Sequence, residues 1–263
     1  MPNDRAVEPV LLSHRQEDGI AVLTLNRPRQ YNALSAELVQ ALHDTLDALA
    51  SDASARVVVI TGAGAAFSAG HDLKEMQAMP RDKAQALFTA CSTVMQKLTT
   101  LPQPVIAAVN GLATAAGCQL VAQCDLAVAA DKAHFAVSGV NLGLFCSTPA
   151  VALSRNLGRK RAAEMLFTGD FINAYQAEAW GLVNRVVPPD QVMEAAFALA
   201  RRMVAKPAEA LALGKRLFYR QLEMPLAEAY ADASCTIAGN LDTDYAREGL
   251  EAFLAKRPPD WKR

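Results

Sequence analysis

The amino-acid sequence predicts an α/β core followed by a helical region. Three observations support this. Short apolar runs at 56–61, 104–109 and 125–130 are bounded by Gly, Ala and Asn, and read as strands buried on both faces. Segments of helical period and small-residue loops stand between them, the alternation of an α/β unit. Beyond Pro188-Pro189 the pattern is almost entirely helical. The chain therefore divides into a 1–190 α/β core and a 191–263 C-terminal helical region.

Taken in order, two extended segments come first, 10–13 and 20–25. Asp18-Gly19 between them is a tight-turn pair, so they read as a hairpin. Asn26-Arg27-Pro28 ends the second. Ser35 precedes a segment, 36–49, in which Leu38, Leu42, Leu46 and Leu49 recur at helical spacing. Its hydroxyl is placed to accept an orphan amide hydrogen as an N-cap. Strand 56–61 runs into Gly62 and a Gly/Ala-rich loop over 62–70. A helix over 84–101 leads to strand 104–109, which ends at Asn110-Gly111. Small residues open a helix near Ala115, 125–130 is the next strand, and Phe135 marks another short one. Helices over 191–205, 208–222, 226–238 and 244–256 follow, punctuated by Pro207 and Pro225.

Bulk properties narrow the function classes. The 263 residues are 52% hydrophobic and 20% charged, the balance of a globular protein with a substantial core. A formal net charge of -1 gives no whole-chain field toward nucleic acid or an anionic membrane. No segment approaches the roughly 18 uninterrupted apolar residues of a membrane span. The opening MPNDRAVEPVLL carries acidic residues and no long apolar stretch, so a cytoplasmic protein is expected. Cys91, Cys118, Cys124, Cys146 and Cys235 are odd in number and form no CxxC pair, which points to reduced, buried thiols. No metal-ligand spacing, Walker A motif or dinucleotide GxGxxG pattern occurs, so neither a metal nor a cofactor is expected.

Four segments together carry a family resemblance. Leu25-Asn26-Arg27-Pro28 with Asn32-Ala33-Leu34 resembles the first-strand exit of the enoyl-CoA hydratase/isomerase (crotonase) family. Phe67-Ser68-Ala69-Gly70-His71-Asp72-Leu73 resembles its first oxyanion loop. Ala107-Ala108-Val109-Asn110-Gly111, then Gly117-Cys118 and Cys124-Asp125, resembles its second. Glu248-Gly249-Leu250-Glu251-Ala252-Phe253 with Lys256-Arg257 resembles its C-terminal helix. In this order they cover nearly the whole chain. The resemblance implies a crotonase-like spiral of ββα units with a helical trimerisation region, assembled as a homotrimer or a dimer of trimers. It also implies an acyl-CoA thioester as substrate or ligand.

The chemistry of a thioester explains the two loops. Hydration or isomerisation of an enoyl thioester places negative charge on the carbonyl oxygen, and donors fixed in advance stabilise it. Losing one such donor typically costs about 10²–10³ in rate. By resemblance the donors are the backbone amides of His71 and Ala116. Gly70 permits the tight backbone path before His71. Ala116 falls in the first turn of a helix, where amides lack intrahelical acceptors and the dipole favours anions. Many relatives carry glycines where this chain has Ala115-Ala116-Gly117, so the pocket is expected to be tighter. For the CoA moiety the resemblance implies Arg29, Ala33, Leu34, Ala69, Asp72, Leu73, Lys74 and Gly117, with Lys256 reaching the phosphates from a neighbouring subunit.

Two positions depart from the hydratase pattern. Family hydratases place one glutamate three residues after the second donor, where this chain has Gln119, and another after the next strand, where it has Gly139. A glutamine amide does not exchange a proton as a carboxylate does, though it can hold a water or a substrate group by hydrogen bonding. General acid–base catalysis is worth about 10²–10⁴, so ordinary hydratase activity is expected to be weak. Ser138, Asn141, Cys146 and Ser147 flank the second position. Cys146 carries no sign of activation and reads as a buried structural thiol. His14, His43 and His134 read as surface or packing residues. The sequence thus supports an acyl-CoA enzyme with atypical chemistry and, as the alternative, a non-catalytic acyl-CoA binder. A structural oligomer that binds no CoA is a third reading, and a dehydrogenase lacks its fingerprint.

Overall fold

The computed structural model describes residues 8–261. Strands β1 (Leu11–Arg15) and β2 (Ile20–Leu25) form the expected antiparallel hairpin, with Leu11 opposite Leu25 and Gly19 at φ 85° in the turn. Helix α1 (Ala36–Ala50) begins at Ser35, whose hydroxyl accepts the Leu38 amide hydrogen at 3.2 Å. Its Leu38, Leu42, Leu46 and Leu49 are all buried.

The chain then repeats one manoeuvre three times: a strand of a first sheet, a short turn, and a strand of a second sheet. The pairs are β3 (Val57–Gly62) with β4 (Ala66–Ser68), β5 (Val105–Val109) with β6 (Leu112–Thr114), and β7 (Leu126–Ala130) with β8 (His134–Ala136). Helices α2 (Leu73–Ala78) and α3 (Arg81–Thr100) follow the first pair, and α4 (Ala116–Gln123) follows the second. After the third come α5 (Ser147–Asn156), α6 (Arg159–Thr168), the two-residue strand β9 (Ile172–Asn173), α7 (Ala174–Trp180) and β10 (Arg185–Val187).

The first sheet runs β1-β2-β3-β5-β7-β10, parallel from β2 onward, and the second runs β4-β6-β8-β9. Val57 to Ile60, all of β5, and Ala127 to Ala130 are buried, as expected for strands covered on both faces. Of the second sheet only the short strand at Phe135, β8, was expected. Its strands are two or three residues long, too short to show a two-residue period, and β4 lies inside the segment read as a continuous loop over 62–70.

Four helices close the chain: α8 (Val192–Val204), α9 (Ala208–Gln221), α10 (Leu226–Leu241) and α11 (Asp244–Leu254). They match the expected helical region to within a few residues at each end. Helix α8 buries Val192, Ala196 and Ala200 at four-residue spacing and packs on β3, β5 and β7. Helix α9 is tied to the core by a polar cluster. Lys215 Nζ donates to the carbonyls of Leu98 (2.7 Å) and Gln103 (2.9 Å) and to Asp125 Oδ2 (2.6 Å), and the Tyr219 hydroxyl donates to Asp125 Oδ1 (2.7 Å). Otherwise α9 to α11 bury little. Phe218, Leu222, Leu226, Tyr230, Phe253 and Leu254 are all exposed, the last two at 80% and 79%. No helix among the described residues is long and apolar enough to cross a membrane.

Candidate functional site

Two loops meet where the second sheet hands over to the helices. After β4, Gly70 takes φ 87°, in the left-handed region that favours glycine. The Leu34 amide donates to the Gly70 carbonyl (2.7 Å) and the Asp72 amide to the Leu34 carbonyl (3.4 Å). This bridge uses the groups on either side of His71 and leaves the His71 amide without an acceptor among the described residues. After β6, Ala115 adopts φ 48°, ψ -119°, a strained path for a residue with a Cβ, held by donation of its amide to the Ala136 carbonyl at 2.9 Å. Ala116 then opens α4. As the first helical residue its amide lacks an intrahelical partner, and it has no other acceptor among the described residues. The loops touch across Gly70: a Cβ built there would stand 2.8 Å from Ala115 Cβ and 3.1 Å from the Ala116 nitrogen.

Both amide-bearing residues line one cavity of about 520 Å³. Ala69, His71, Ala115 and Ala116 form its polar end, and Leu73, Met76 and Phe88 form one wall. Leu142, Leu144 and Phe145, from the irregular segment before α5, form the other. No Asp or Glu is among its lining residues. Its two titratable groups are both biased toward their neutral forms. Burial holds the His71 imidazole below its ordinary value, against the opposing pull of the Leu34 carbonyl and Glu75. Burial also pushes the Cys146 thiol up, against the hydrogen bond from the Gly139 amide. The His71 ring is not free in solvent. Nδ1 lies 3.4 Å from the Leu34 carbonyl oxygen, the ring stands edge-on to Phe88 at 5.1 Å, and Nε2 is buried without a protein partner.

The two departures from the hydratase pattern occupy different places. Gly139 lines the amide cavity. Gln119, 3% exposed, does not. It lines a second cavity of about 790 Å³ among α3, α4, α5 and α9, and its Oε1 has no protein hydrogen-bond partner. Of the flanking candidates, Ser138, Cys146 and Ser147 line the amide cavity, whereas Asn141 donates to the Gly169 carbonyl at 3.4 Å. His43 sits between Asp44 and Asp47, and His134 contacts the Lys132 carbonyl. His14 is exposed on β1. All five cysteines are free, with Cys91, Cys118 and Cys124 buried, Cys146 half-buried and Cys235 exposed.

The residues assigned to the CoA moiety divide into two groups. Arg29, on the turn after β2, and Lys74, in the first turn of α2, are exposed and make no ion pair among the described residues. Leu73 is also exposed and lines the cavity. Ala33, Leu34 and Gly117 are buried, and Gly117 packs so closely on the Ser68 carbonyl that a Cβ would stand 2.1 Å from its oxygen. The Ala69 amide donates to the Tyr31 carbonyl (2.9 Å) and its own carbonyl accepts from the Thr114 hydroxyl (3.0 Å). Asp72 is committed to the protein. One carboxylate oxygen accepts from Arg27 at 3.0 Å and the other caps α2 through the Lys74 amide at 3.1 Å. Arg27, which also donates to the Ala33 carbonyl at 2.6 Å, was quoted only as part of a motif and is the residue that fixes the first loop. Lys256 follows α11, exposed and outside the cavity lining.

Comparison with known proteins agrees with this architecture. The family model described as Enoyl-CoA hydratase/isomerase matches residues 15–263. A crystal structure of an enoyl-CoA hydratase from Mycobacterium smegmatis superposes with a TM-score of 0.95 at 55% identity, over 97% of this chain and 100% of that one. The human enoyl-CoA hydratase domain-containing protein 3 superposes at 0.93 with 45% identity, over 96% and 100%. Its counterpart in Rattus norvegicus, named as mitochondrial, is 48% identical over 255 residues, 97% of this chain and 85% of the relative. With two sheets stacked by repeated strand pairs, a helical C-terminal region and a family match over nearly its full length, this chain has the crotonase-like fold and belongs to the enoyl-CoA hydratase/isomerase family.

Proposed function

We propose that the 520 Å³ cavity binds an acyl-CoA thioester, with the carbonyl oxygen received by the His71 and Ala116 amides. The observation that carries this reading is that two amides on separate loops, meeting across Gly70, have no protein acceptor and line one apolar cavity. Buried amide hydrogens are rarely left unmatched without a reason. Donors placed in a dry site stabilise a developing oxyanion far more than they would in water. Arg29 and Lys74, exposed and without an ion pair among the described residues, would meet the CoA phosphates. Lys256 would reach them only from a neighbouring subunit. The exposed apolar side chains of α9 to α11 support a homotrimer or a dimer of trimers, because helices with so little core of their own are stabilised by packing against a partner. The thioester needs no further cofactor for this chemistry.

Nominally the reaction is hydration or isomerisation of an enoyl-CoA in fatty-acid metabolism, a lyase or isomerase activity. The cavity supports it weakly, since no carboxylate lines it and its imidazole and thiol are held neutral. That same feature favours the second reading, a non-catalytic acyl-CoA binder or auxiliary subunit. Calorimetry with butyryl-CoA tests the binding reading, and absence of heat with any acyl-CoA defeats it. A panel of enoyl thioesters assayed for any product separates enzyme from binder. The proposed compartment is the cytoplasm, supported by five unpaired cysteines. Cell fractionation decides between it and the mitochondrial location carried in the rat relative's name.

A further inference from the structure

The amide cavity places a thiol beside the two unmatched amides. Among the described residues that line it, Cys146 carries the one thiol, and the other nucleophiles are the hydroxyls of Ser138, Ser147 and Thr148. A hydroxyl needs an adjacent base before it can attack, and no Asp or Glu lines the cavity. A thiol is intrinsically far more nucleophilic. Cys91, Cys118 and Cys124 are buried and lie outside this lining.

Cys146 is also placed to carry negative charge for a moment. It is the N-cap residue of α5, and its side chain caps no amide of that helix. Orphan amides and the dipole at a helix N-terminus favour a thiolate. The Gly139 amide donates to Sγ at 3.3 Å, so a hydrogen already faces the sulfur. Burial opposes both effects and keeps the resting thiol protonated. The residue is only half-buried, so a ligand in the cavity can reach it.

An α,β-unsaturated thioester held by its oxygen at the His71 and Ala116 amides is an activated acceptor. Charge drawn toward the oxygen leaves the β-carbon electrophilic. Water adds there when a carboxylate activates it, and this cavity offers sulfur instead.

Resting on the thioester reading above, we propose that Cys146 captures enoyl thioesters covalently, as a β-thioether. A bond forms between Sγ and the β-carbon, and the π electron pair moves onto the carbonyl oxygen as an enolate held by the two amides. The thiol proton passes to water, and a proton from water is taken up at the α-carbon. Nothing is oxidised and nothing leaves, so the CoA thioester stays intact in the adduct. A saturated thioester has no electrophilic β-carbon and binds without reacting.

The test is intact-mass spectrometry of the full chain incubated with crotonyl-CoA, with butyryl-CoA as the saturated control. A mass gain equal to one whole crotonyl-CoA is expected, and none with butyryl-CoA. The rate of gain is expected to rise about tenfold per pH unit through the neutral range, as the thiolate fraction does. Peptide mapping of the wild type is expected to place the adduct on Cys146, which does not depend on how any variant folds. Cys146→Ser and Cys146→Ala are expected to abolish it. Cys235, exposed on α10, reports the reactivity of an ordinary thiol in the same sample. Equal labelling of Cys235, a gain that survives both substitutions, or no gain in a wild type that binds butyryl-CoA by calorimetry overturns the proposal and leaves thioester binding intact. So does a gain of the crotonyl group alone, which reports attack at the carbonyl carbon with loss of CoA. Absence of binding by either thioester overturns the thioester reading and this one together.

Discussion

The Cys146 sulfur accepts a hydrogen bond from the Gly139 amide at 3.3 Å and lies 2.8 Å from where a Cβ on Gly139 would stand. The thiol thus occupies the space that a side chain at this position would need. Gly139→Glu alone is expected to lower stability by about 1–3 kcal/mol through overpacking and to add no hydration of crotonyl-CoA. Gly139→Glu with Cys146→Gly is expected to recover part of the melting temperature, because the Leu144 carbonyl oxygen, 2.9 Å from the same Cβ, remains in the way. Adding Gln119→Glu to that pair is expected to raise hydration by at least about 10², the lower end of general acid–base catalysis. Thermal melts and a hydration assay check both parts.

Gly70 controls the distance between the two amides. Gly70→Ala must relieve contacts of 2.8 Å to Ala115 Cβ and 2.9 Å to the Thr114 carbonyl while holding φ 87°. It is expected to push the His71 loop away from Ala116. Butyryl-CoA affinity should fall about tenfold or more, and any turnover by about 10²–10³, as for a lost oxyanion donor. Unchanged affinity in a folded variant would detach the two amides from ligand binding.

Asp72 anchors the same loop without needing to touch a ligand. Asp72→Ala removes the α2 cap and the Arg27 pair, and is expected to cost about 1–2 kcal/mol in a denaturant titration. Burial pushes the Asp72 carboxyl up, but the Arg27 hydrogen bond and the Glu75 and Lys74 amides outweigh it and hold it below 3.8. A carboxyl lowered by folding stabilises above its unfolded value and loses that contribution as pH falls through the folded one. The Asp72 contribution is therefore present above 3.8, and its loss is confined to the acid limb below that value.

His71 acts in a higher window. Its folded value lies below 6.5, so the unfolded chain binds the proton first as pH falls. Its contribution is complete above 6.5 and declines below that value until the folded-state group also titrates. His71→Gln is expected to remove this part of the stability profile. Thioester affinity in the wild type is expected to be flat well inside the interval between 6.5 and 9.0, since burial moves the imidazole below the lower bound and the Cys146 thiol above the upper one. Melting temperature and affinity measured across pH check the two statements separately.

The apolar faces of α10 and α11 should govern assembly. Sedimentation of the wild type is expected to give a trimer or a dimer of trimers. Tyr230→Glu and Phe253→Asp, at side chains 69% and 80% exposed in the single chain, are expected to dissociate it without unfolding the core. A monomeric wild type would remove the proposed route for Lys256 to the phosphates.

Much of this fold was legible because local chemistry and tertiary packing agree. Asp18-Gly19 makes the hairpin, Ser35 caps α1, and the continuous Val/Ile/Ala runs are the buried parallel strands. In the second sheet β8 was legible at Phe135, but β4 and β6 were not, because they take their order from pairing with neighbouring strands and not from any period of their own. Helices α5 and α6 were missed because each is only ten residues long and buries few of them: Pro149, Ala152 and Leu153 in one, Ala162, Met165 and Leu166 in the other. At the site, the residue types at Gln119 and Gly139 could be read directly, but not that they face different cavities. That depends on which side of α4 meets α3 and α5, information held in no single segment.

Asp125, just before the interior strand β7, accepts the Val105 amide hydrogen with one oxygen, yet its ammonium and phenol partners, Lys215 and Tyr219, follow 90 and 94 residues later. During synthesis the carboxylate therefore waits, hydrated, until nearly the whole polypeptide has left the ribosome. A nascent chain halted before α9 would hold this carboxylate without its ammonium and phenol partners. Final closure of the core is thus a late event, and prematurely terminated products should be cleared by proteases instead of accumulating as a smaller native species.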